Sequence, residues 1–109
     1  MDITVRQAGT VTILDLKGQL TRGSELDQAT TKQLSGGSKQ ILLNMDGLTL
    51  LNSSGITSLK TAQQAARSNG AIIKLVHIED KLLQVLKLAG MDGAFEIYKD
   101  ETTAVNSFK

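Results

Sequence analysis

Residues 40–45, Gln-Ile-Leu-Leu-Asn-Met, form a short apolar run in which apolar and polar residues do not alternate regularly. A strand with one exposed face alternates between the two kinds of residue, whereas a strand covered on both faces does not. Coverage on both faces is typical of a sheet whose strands have parallel neighbours. The run therefore predicts the central strand of an α/β fold.

Further strand patterns lie on both sides of this run. Before it, residues 3–6 and 11–16 carry strand patterns on either side of a turn at residues 8–10, which predicts an antiparallel hairpin. After it, residues 71–77 are rich in β-branched and aliphatic side chains, and residues 95–98 alternate. Together these segments predict a small mixed sheet of four to five strands, with Asp46-Gly47 as a turn after the central strand.

About four helices are predicted in the remaining segments, because apolar residues recur there at helical spacing. The inward positions are Leu26, Ala29 and Leu34 in the first helix; Ile56, Leu59, Ala62, Ala65 and Ala66 in the second; Leu82, Leu83, Val85, Leu86 and Ala89 in the third; and Ala104, Val105 and Phe108 in the last. Ser24, Asp80 and Asp100 are the predicted N-caps, Thr21-Arg22-Gly23 is a loop, and Gly70 closes the second helix. The predicted order is ββαβαβαβα with right-handed crossovers, in one domain over residues 1–109.

The joint between the central strand segment and the second helix carries two hydroxyls, Ser53 and Ser54, followed by Gly55. A helix start leaves backbone N–H groups unpaired and carries a partial positive charge. One serine is therefore expected to cap the helix, and a phosphate attached there would be well placed. The joint indicates a site for a switch.

Residues 41–56, Ile-Leu-Leu-Asn-Met-Asp-Gly-Leu-Thr-Leu-Leu-Asn-Ser-Ser-Gly-Ile, resemble the signature of STAS domains, a family that includes bacterial anti-sigma-factor antagonists. The hairpin ending in Gly18-Gln19-Leu20, its spacing to Ser53, and the later strand at residues 72–77 also fall where that family has them. The resemblance implies a STAS-like fold over nearly the whole chain.

The resemblance also implies a function. Unmodified, the domain would bind an anti-sigma factor with serine kinase activity and free a sigma factor. That kinase would phosphorylate Ser53, with Ser54 as the second choice, and a metal-dependent serine phosphatase would reset the switch. The domain itself would perform no catalysis and hold no cofactor. The expected contact surface shares one side of the second helix with Ser53: Thr21, Asn52, Ser53, Ser54, Gly55, Thr57, Lys60, Thr61 and Gln64.

Three residues depart from the family pattern. Asn44 and Asn52 stand where Asp is usual, and Thr21 stands where an acidic residue is frequent. A carboxylate at 44 or 52 could orient or activate the serine hydroxyl, whereas a neutral amide is a very poor base. These departures leave open an alternative, a STAS subunit that is not phosphorylated and serves the ATPase complex of a lipid transporter or a stress-sensing assembly. A small nucleotide- or anion-binding module is a third possibility.

Composition excludes several other classes. With 12 basic and 11 acidic residues spread along the chain and only three aromatic residues, nucleic acid is not an expected partner. No apolar run approaches the ~20 residues of a membrane span, so no membrane insertion is expected. The absence of Cys and the single His77 exclude a site of several thiolates or imidazoles. The segment around Ser53 lacks the first glycine of the Gly-x-Ser-x-Gly motif of esterases, and Gly36-Gly37-Ser38-Lys39 lacks the spacing of a phosphate-binding loop, so neither activity is expected. We expect a cytoplasmic binding protein that is a monomer or a weak dimer.

Overall fold

The computed structural model describes residues 1–22 and 24–108. Within them the chain forms β1 (Asp2–Ala8), β2 (Val11–Leu20), α1 (Ser24–Ser35), β3 (Gln40–Leu51), α2 (Ser53–Ser68), β4 (Ile72–Val76), α3 (Asp80–Leu88), β5 (Ile97–Tyr98) and α4 (Glu101–Asn106). The predicted order ββαβαβαβα is confirmed. The loop residue Gly23 and the capping side chain of Ser24 lie outside what the structure describes.

The sheet is mixed, and its strands lie in the order in which they occur in the chain, β1-β2-β3-β4-β5. β1 and β2 form the predicted antiparallel hairpin, and the three remaining strand pairs are parallel. β3 is the central strand, and Ile41, Leu42 and Leu43 are fully buried. The apolar run is therefore covered on both faces, as the sequence predicts.

The predicted turn at Asp46-Gly47 is wrong, because β3 continues through both residues to Leu51. The pairing of β3 with β2 shifts register twice, between Asp15 and Lys17 and again between Gly18 and Gln19. At Gly47 a Cβ atom would lie 3.0 Å from the carbonyl oxygen of Leu16. The glycine thus permits a close approach between neighbouring strands at an irregularity in the ladder.

β3 extends further than β4 does. β4 pairs with β3 only from Gln40 to Asn44, whereas β2 follows β3 as far as Leu51. The second half of β3 therefore forms a two-stranded ribbon with β2. This ribbon carries the chain to the start of α2.

The predicted helix ends are partly right. Asp100 caps α4 by accepting from the backbone N–H groups of Thr102 and Thr103, and Gly70 follows α2 in a left-handed conformation (φ +70°). The prediction for Asp80 is wrong, because the N-cap of α3 is Glu79, whose side chain makes no capping hydrogen bond. Of the predicted α3 stripe, Leu82 and Leu86 are buried, Leu83 and Val85 are half-buried, and Ala89 is exposed beyond the helix end.

The predicted last strand at residues 95–98 is only half formed. A 3₁₀ turn at Asp92–Ala94 precedes it, and only Ile97–Tyr98 pairs with β4. The Phe95 side chain is buried in the main core. The apolar alternation therefore reflects burial of this segment rather than a full strand.

Two apolar clusters lie on opposite faces of the sheet. The larger one lies between the sheet and α1, α2 and α3, and it contains Leu14, Leu43 and Leu59 among others. The smaller one contains Val11, Ile13, Leu42, Val76 and Ala104 and is covered by α4, with Val105 and Phe108 packed against it. The inward positions predicted for the last helix are thus confirmed.

A lysine attaches α4 to the sheet. Lys74 on β4 is 5% exposed, and its Nζ donates to the backbone oxygen of Ser107 at 3.1 Å and to its Oγ at 3.0 Å. The same Nζ lies 4.6 Å from the centre of the Phe108 ring.

Within the described residues, no helix has the length and apolar character needed to cross a membrane.

Candidate functional site

The strand-to-helix joint lies where the sequence predicts it. β3 ends at Leu51, Asn52 has an extended conformation (φ −115°, ψ −174°), and α2 begins at Ser53. The carbonyl of Asn52 accepts the first helical hydrogen bond, from the N–H of Ile56 at 2.9 Å. Ser53 and Ser54 are therefore the first two helical residues, and their position is fixed by the β2–β3 ribbon beneath.

The cap of α2 is Asn52, so the prediction that a serine caps this helix is wrong. The Oδ1 atom of Asn52 accepts from the N–H of Gly55 at 3.0 Å. Its Nδ2 atom donates to the backbone oxygen of Thr21 at 3.4 Å. One side chain thus closes the helix start and ties it to the segment that follows β2.

Ser53 and Ser54 are both exposed, and neither hydroxyl makes a hydrogen bond within residues 1–22 and 24–108. Because Asn52 supplies the cap, neither hydroxyl is needed for the helix. The first turn of α2 contains no acidic residue, and the charged residues of the helix are Lys60 and Arg67. A negative group on Ser53 would therefore meet the positive end of the helix and no carboxylate of α2.

Gly55 is buried against the end of β2. A Cβ atom at this position would lie 2.1 Å from the carbonyl oxygen of Leu20 and 2.8 Å from a methyl carbon of Leu51. Any other residue would push the helix away from the sheet. The glycine of the Ser-Ser-Gly sequence thus lets the start of α2, with its two serines, pack closely against the end of β2.

The predicted contact residues further along α2 form one exposed face. Thr57, Lys60, Thr61 and Gln64 are all exposed, and the Thr57 hydroxyl donates to the backbone oxygen of Ser53 at 3.0 Å. The opposite face is buried, and it includes Ser58, which donates to Oδ1 of Asp27 on α1 at 2.9 Å. Thr21 is half-buried and meets the site through its backbone oxygen.

Asn44 lies in a different polar cluster, so it does not act on the Ser53 hydroxyl as suggested for an acidic residue there. Its Nδ2 donates to Oδ1 of Asp15 at 2.8 Å, and its Oδ1 accepts from the N–H of Asp46 at 3.1 Å. The same oxygen lies 3.2 Å from Nδ1 of His77. Because Oδ1 can only accept, Nδ1 of His77 is the protonated ring nitrogen in this contact.

An ion pair completes this second cluster. Arg6 on β1 donates to Asp15 at 2.5 and 2.9 Å and to Glu101 at 2.6 Å. The hydrogen bond from Arg6 lowers the pKa of Asp15, with a smaller contribution from Asn44 in the same direction. His77 itself follows β4 in a left-handed conformation (φ 58°), at the strand end that the sequence predicts.

Sequence reasoning missed two contacts that position the site. Asn52 belongs to the residue types preferred at N-caps, but so do the two serines that follow it, and the residue at which β3 ends decides among them. The Asp27–Ser58 contact joins residues 31 positions apart in different helices. No local pattern in the sequence indicates that pair.

The comparisons with known proteins agree with this fold. The family model for the STAS domain matches residues 2–104. Similar structures include an anti-sigma factor antagonist from Mycobacterium paratuberculosis (TM-score 0.85, 16% identity, 97% of this chain and 92% of that chain) and a STAS domain protein from Planctomyces limnophilus (0.84, 17%, 98% and 97%). A third is the Bacillus cell fate determinant SpoIIAA in its phosphorylated form (0.75, 14%, 99% and 100%). No curated protein matches the chain.

Proposed function

Because the chain belongs to the STAS domain family, we propose that it is a cytoplasmic anti-sigma-factor antagonist whose binding is switched by phosphorylation of Ser53. The fold is that of anti-sigma-factor antagonists such as SpoIIAA. The observation that carries the proposal is the Ser53 hydroxyl, exposed and free of hydrogen bonds to the described residues at the first position of α2.

In the unmodified state, the exposed face of α2 binds the anti-sigma factor. Thr57, Lys60, Thr61 and Gln64 share this face with Ser53 and are open to a partner. Hydroxyl and amide groups dominate the face, and Lys60 is its charged residue. Such a surface suits a partner that offers hydrogen-bonding groups around an acidic residue.

Phosphorylation then breaks the complex without unfolding the domain. A phosphate on Ser53 adds about −1.5 to −2 charges and three acceptor oxygens. The start of α2 stabilises this charge, because the N–H of Ser54 has no acceptor within the part of the chain described and no carboxylate lies in the first turn. A docked partner would have to displace the phosphate, and a penalty of roughly 3–4 kcal/mol weakens a complex several-hundred-fold.

The partner is an anti-sigma factor with serine kinase activity, which transfers the phosphoryl group to Ser53. A serine phosphatase of the metal-dependent type removes it. In this proposal the domain contributes the acceptor hydroxyl and the contact surface, and it carries out no catalysis itself. SpoIIAA has been solved in both phosphorylated and unphosphorylated forms, which is the pair of states this proposal assigns to the present chain.

The neutral residues at 44 and 52 bear on the rate of phosphorylation. Asn52 Oδ1 is occupied by the N–H of Gly55, and Asn44 is bound in the cluster of Asp15 and His77. Activation of the serine therefore falls to groups on the kinase. The departures at these positions have structural roles and do not by themselves favour a subunit that is never phosphorylated.

Ser53→Ala and Ser53→Glu test the proposal, with Ser54→Ala as the matched control. We expect Ser53→Ala to abolish labelling by the cognate kinase with radioactive ATP and to keep the affinity for the kinase within about twofold. We expect Ser53→Glu to bind at least about tenfold more weakly in calorimetry, because it places a permanent negative charge in the contact face. Equal labelling of Ser53→Ala and the wild type would remove Ser53 from the mechanism.

A further inference from the structure

The two edges of the sheet differ in how far they are open. β5, at one edge, is only two residues long. β1, at the other, is seven residues long and pairs with β2 without a register break from Asp2 to Ala8. Short strands, bulges, prolines and charged side chains are the usual protection of an edge. β1 is neither short nor bulged and holds no proline, and its charged residues, Asp2 and Arg6, are of opposite sign. Its outer backbone groups form a regular template for another strand.

The side chains of β1 also leave its edge accessible. Asp2, Thr4, Val5, Arg6 and Gln7 are exposed, and Val5 retains 47% of its surface although it lies opposite the buried Leu14. Alternate residues share a face of the sheet. Ile3 and Val5 therefore lie on the side of the main core, and Asp2, Thr4 and Arg6 lie on the other side.

We propose that two copies of this chain pair through β1, antiparallel and with Thr4 facing Thr4 of the second copy. In that register Asp2 faces Arg6 of the second copy, and Ile3 faces its Val5. The two-fold axis repeats both contacts. The result is one continuous ten-stranded sheet with the helices α1, α2 and α3 of both copies on the same side.

The charges select this register. If Val5 faced its own copy, Asp2 would meet Ala8 and Ile3 would meet Gln7, so that no opposite charges would pair. Shifting by a single residue would place the two main cores on opposite faces. The register centred on Thr4 instead brings an acid opposite a base and an apolar residue opposite an apolar residue, the cross-strand pairs that stabilise sheets.

The neighbours of these charges extend the same pattern. Within one copy, Asp2 lies opposite Lys17 of β2. Across the proposed interface it would meet Arg6 of the second copy, which is already paired with Asp15 and Glu101. The charges then alternate in sign along a row. Lys17 and Asp2 of one copy are followed by Arg6 of the second copy, and then by its partners Asp15 and Glu101. Each charge in this row has a neighbour of opposite sign.

The dimer is expected to be weak. One strand from each copy buries less than the about 1,200 Å² of a standard interface. A dissociation constant on the order of 0.1 mM is consistent with an interface of this size. β2 separates the contact on β1 from β3, which leads to Ser53, so the association is independent of the proposed role of Ser53.

Sedimentation equilibrium of the full chain from about 10 µM to about 1 mM tests the association. We expect the average mass to rise towards that of a dimer for the wild type. Asp2→Arg should reduce the association at least about tenfold, because it places two bases opposite each other. Asp80→Arg, with the same change of charge at an exposed position on α3, should leave it within about twofold.

Single cysteines test the register, since the chain contains no Cys of its own. Thr4→Cys should form a disulfide-linked dimer under mild oxidation, because directly opposed Cα atoms of an antiparallel pair lie about 4.5–5.5 Å apart, within the range that a disulfide spans. Val5→Cys, one residue away and also exposed, should react at least about tenfold more slowly. A chain that stays monomeric to about 1 mM, or faster linkage through Val5→Cys, would overturn the proposal. A strand from another protein at this edge would give the first of these results.

Discussion

Asn52 joins two parts of the chain with one side chain. Its side-chain oxygen Oδ1 accepts a hydrogen bond from the N–H of Gly55 in the first turn of α2. Its side-chain nitrogen Nδ2 donates to the backbone oxygen of Thr21. An aspartate could make the first contact, since a carboxylate accepts hydrogen bonds, but it has no hydrogen to give to the Thr21 oxygen. The amide is therefore the side chain that satisfies both neighbours at once.

Replacement of Asn52 by Ala should destabilise the domain by about 1 kcal/mol, the usual cost of losing an N-cap. Asn52→Asp should keep most of this stability, because the cap remains and a negative charge suits the helix start. Urea denaturation followed by circular dichroism measures both. Ser54→Ala is the control and should change little, and an unaltered midpoint for Asn52→Ala would show that the cap contributes nothing.

The residues of the site were predictable to different degrees. Ser53 and its place at the start of a helix followed from the change of apolar pattern at Leu51. That Asn52, and not one of the two serines, caps the helix did not follow from the sequence, because Asn and Ser are similarly favoured at N-caps. It depends on where β3 stops, which is set by the pairing of Leu51 with Leu20.

At the scale of elements, α4 is held in place by its contacts with the rest of the domain, above all with Lys74, because the helix is too short to be stable alone. It has six residues, too few for a stable isolated helix. Lys74 holds its C-terminal end through Ser107, and Asp100 caps its N-terminal end. The backbone oxygen of Phe108 also accepts from the Gln40 side chain at 3.0 Å.

Lys74→Met should loosen α4 while leaving the rest of the sheet intact. Methionine keeps an apolar stem but loses the charged donor, and hydrogen bonds to charged groups contribute about 1.5–3 kcal/mol. We expect hydrogen exchange of the Ala104 amide to accelerate by about tenfold or more, measured by NMR. Lys81→Met, at an exposed position of α3, is the control. Unchanged exchange at Ala104 would show that packing alone holds the helix.

Elements with a clear apolar period were predicted well, and irregular ones were not. The central strand buries the residues its pattern indicates. In α2, Leu59, Ala62 and Ala66 are buried as predicted and Ile56 and Ala65 are half-buried, whereas the burial of the polar Ser58 and Gln63 was not predicted. Asp46-Gly47 resembles a turn in isolation, but pairing with β2 continues through it and the glycine serves a close approach instead. The segment at residues 95–98 has a strand pattern, yet only its last two residues reach β4.

At the scale of the whole molecule, the cluster around Arg6 joins four elements. Arg6 on β1 pairs with Asp15 on β2 and Glu101 on α4, and Asn44 on β3 donates to the same aspartate. The pKa of Asp15 lies below its ordinary value, chiefly because of the hydrogen bond from Arg6. The folded chain therefore holds this carboxyl ionised at pH values where the unfolded chain has begun to protonate it.

Stability should consequently fall in acid. A carboxyl with a lowered pKa contributes its full stabilisation above the pKa of the unfolded chain, about 4, and loses it as the pH falls through the folded value. Asp15→Asn should lower the free energy of unfolding at pH 7, and the difference from the wild type should narrow below about pH 4. Asp46→Asn is a control with the same chemical change outside the ion pair. A gap that stays constant from pH 7 to about pH 2 would contradict this assignment.

The order of strands in the sheet has a consequence for synthesis. Each strand lies beside the one translated just before it, so a nascent polypeptide can add strands in turn as they leave the ribosome, without waiting for distant segments. α4 is translated after all five strands and covers the second apolar cluster. Until α4 is translated and packs against the sheet, the side chains of Ile13, Leu42 and Val76 form an exposed apolar surface. This is the surface on which chaperones would act.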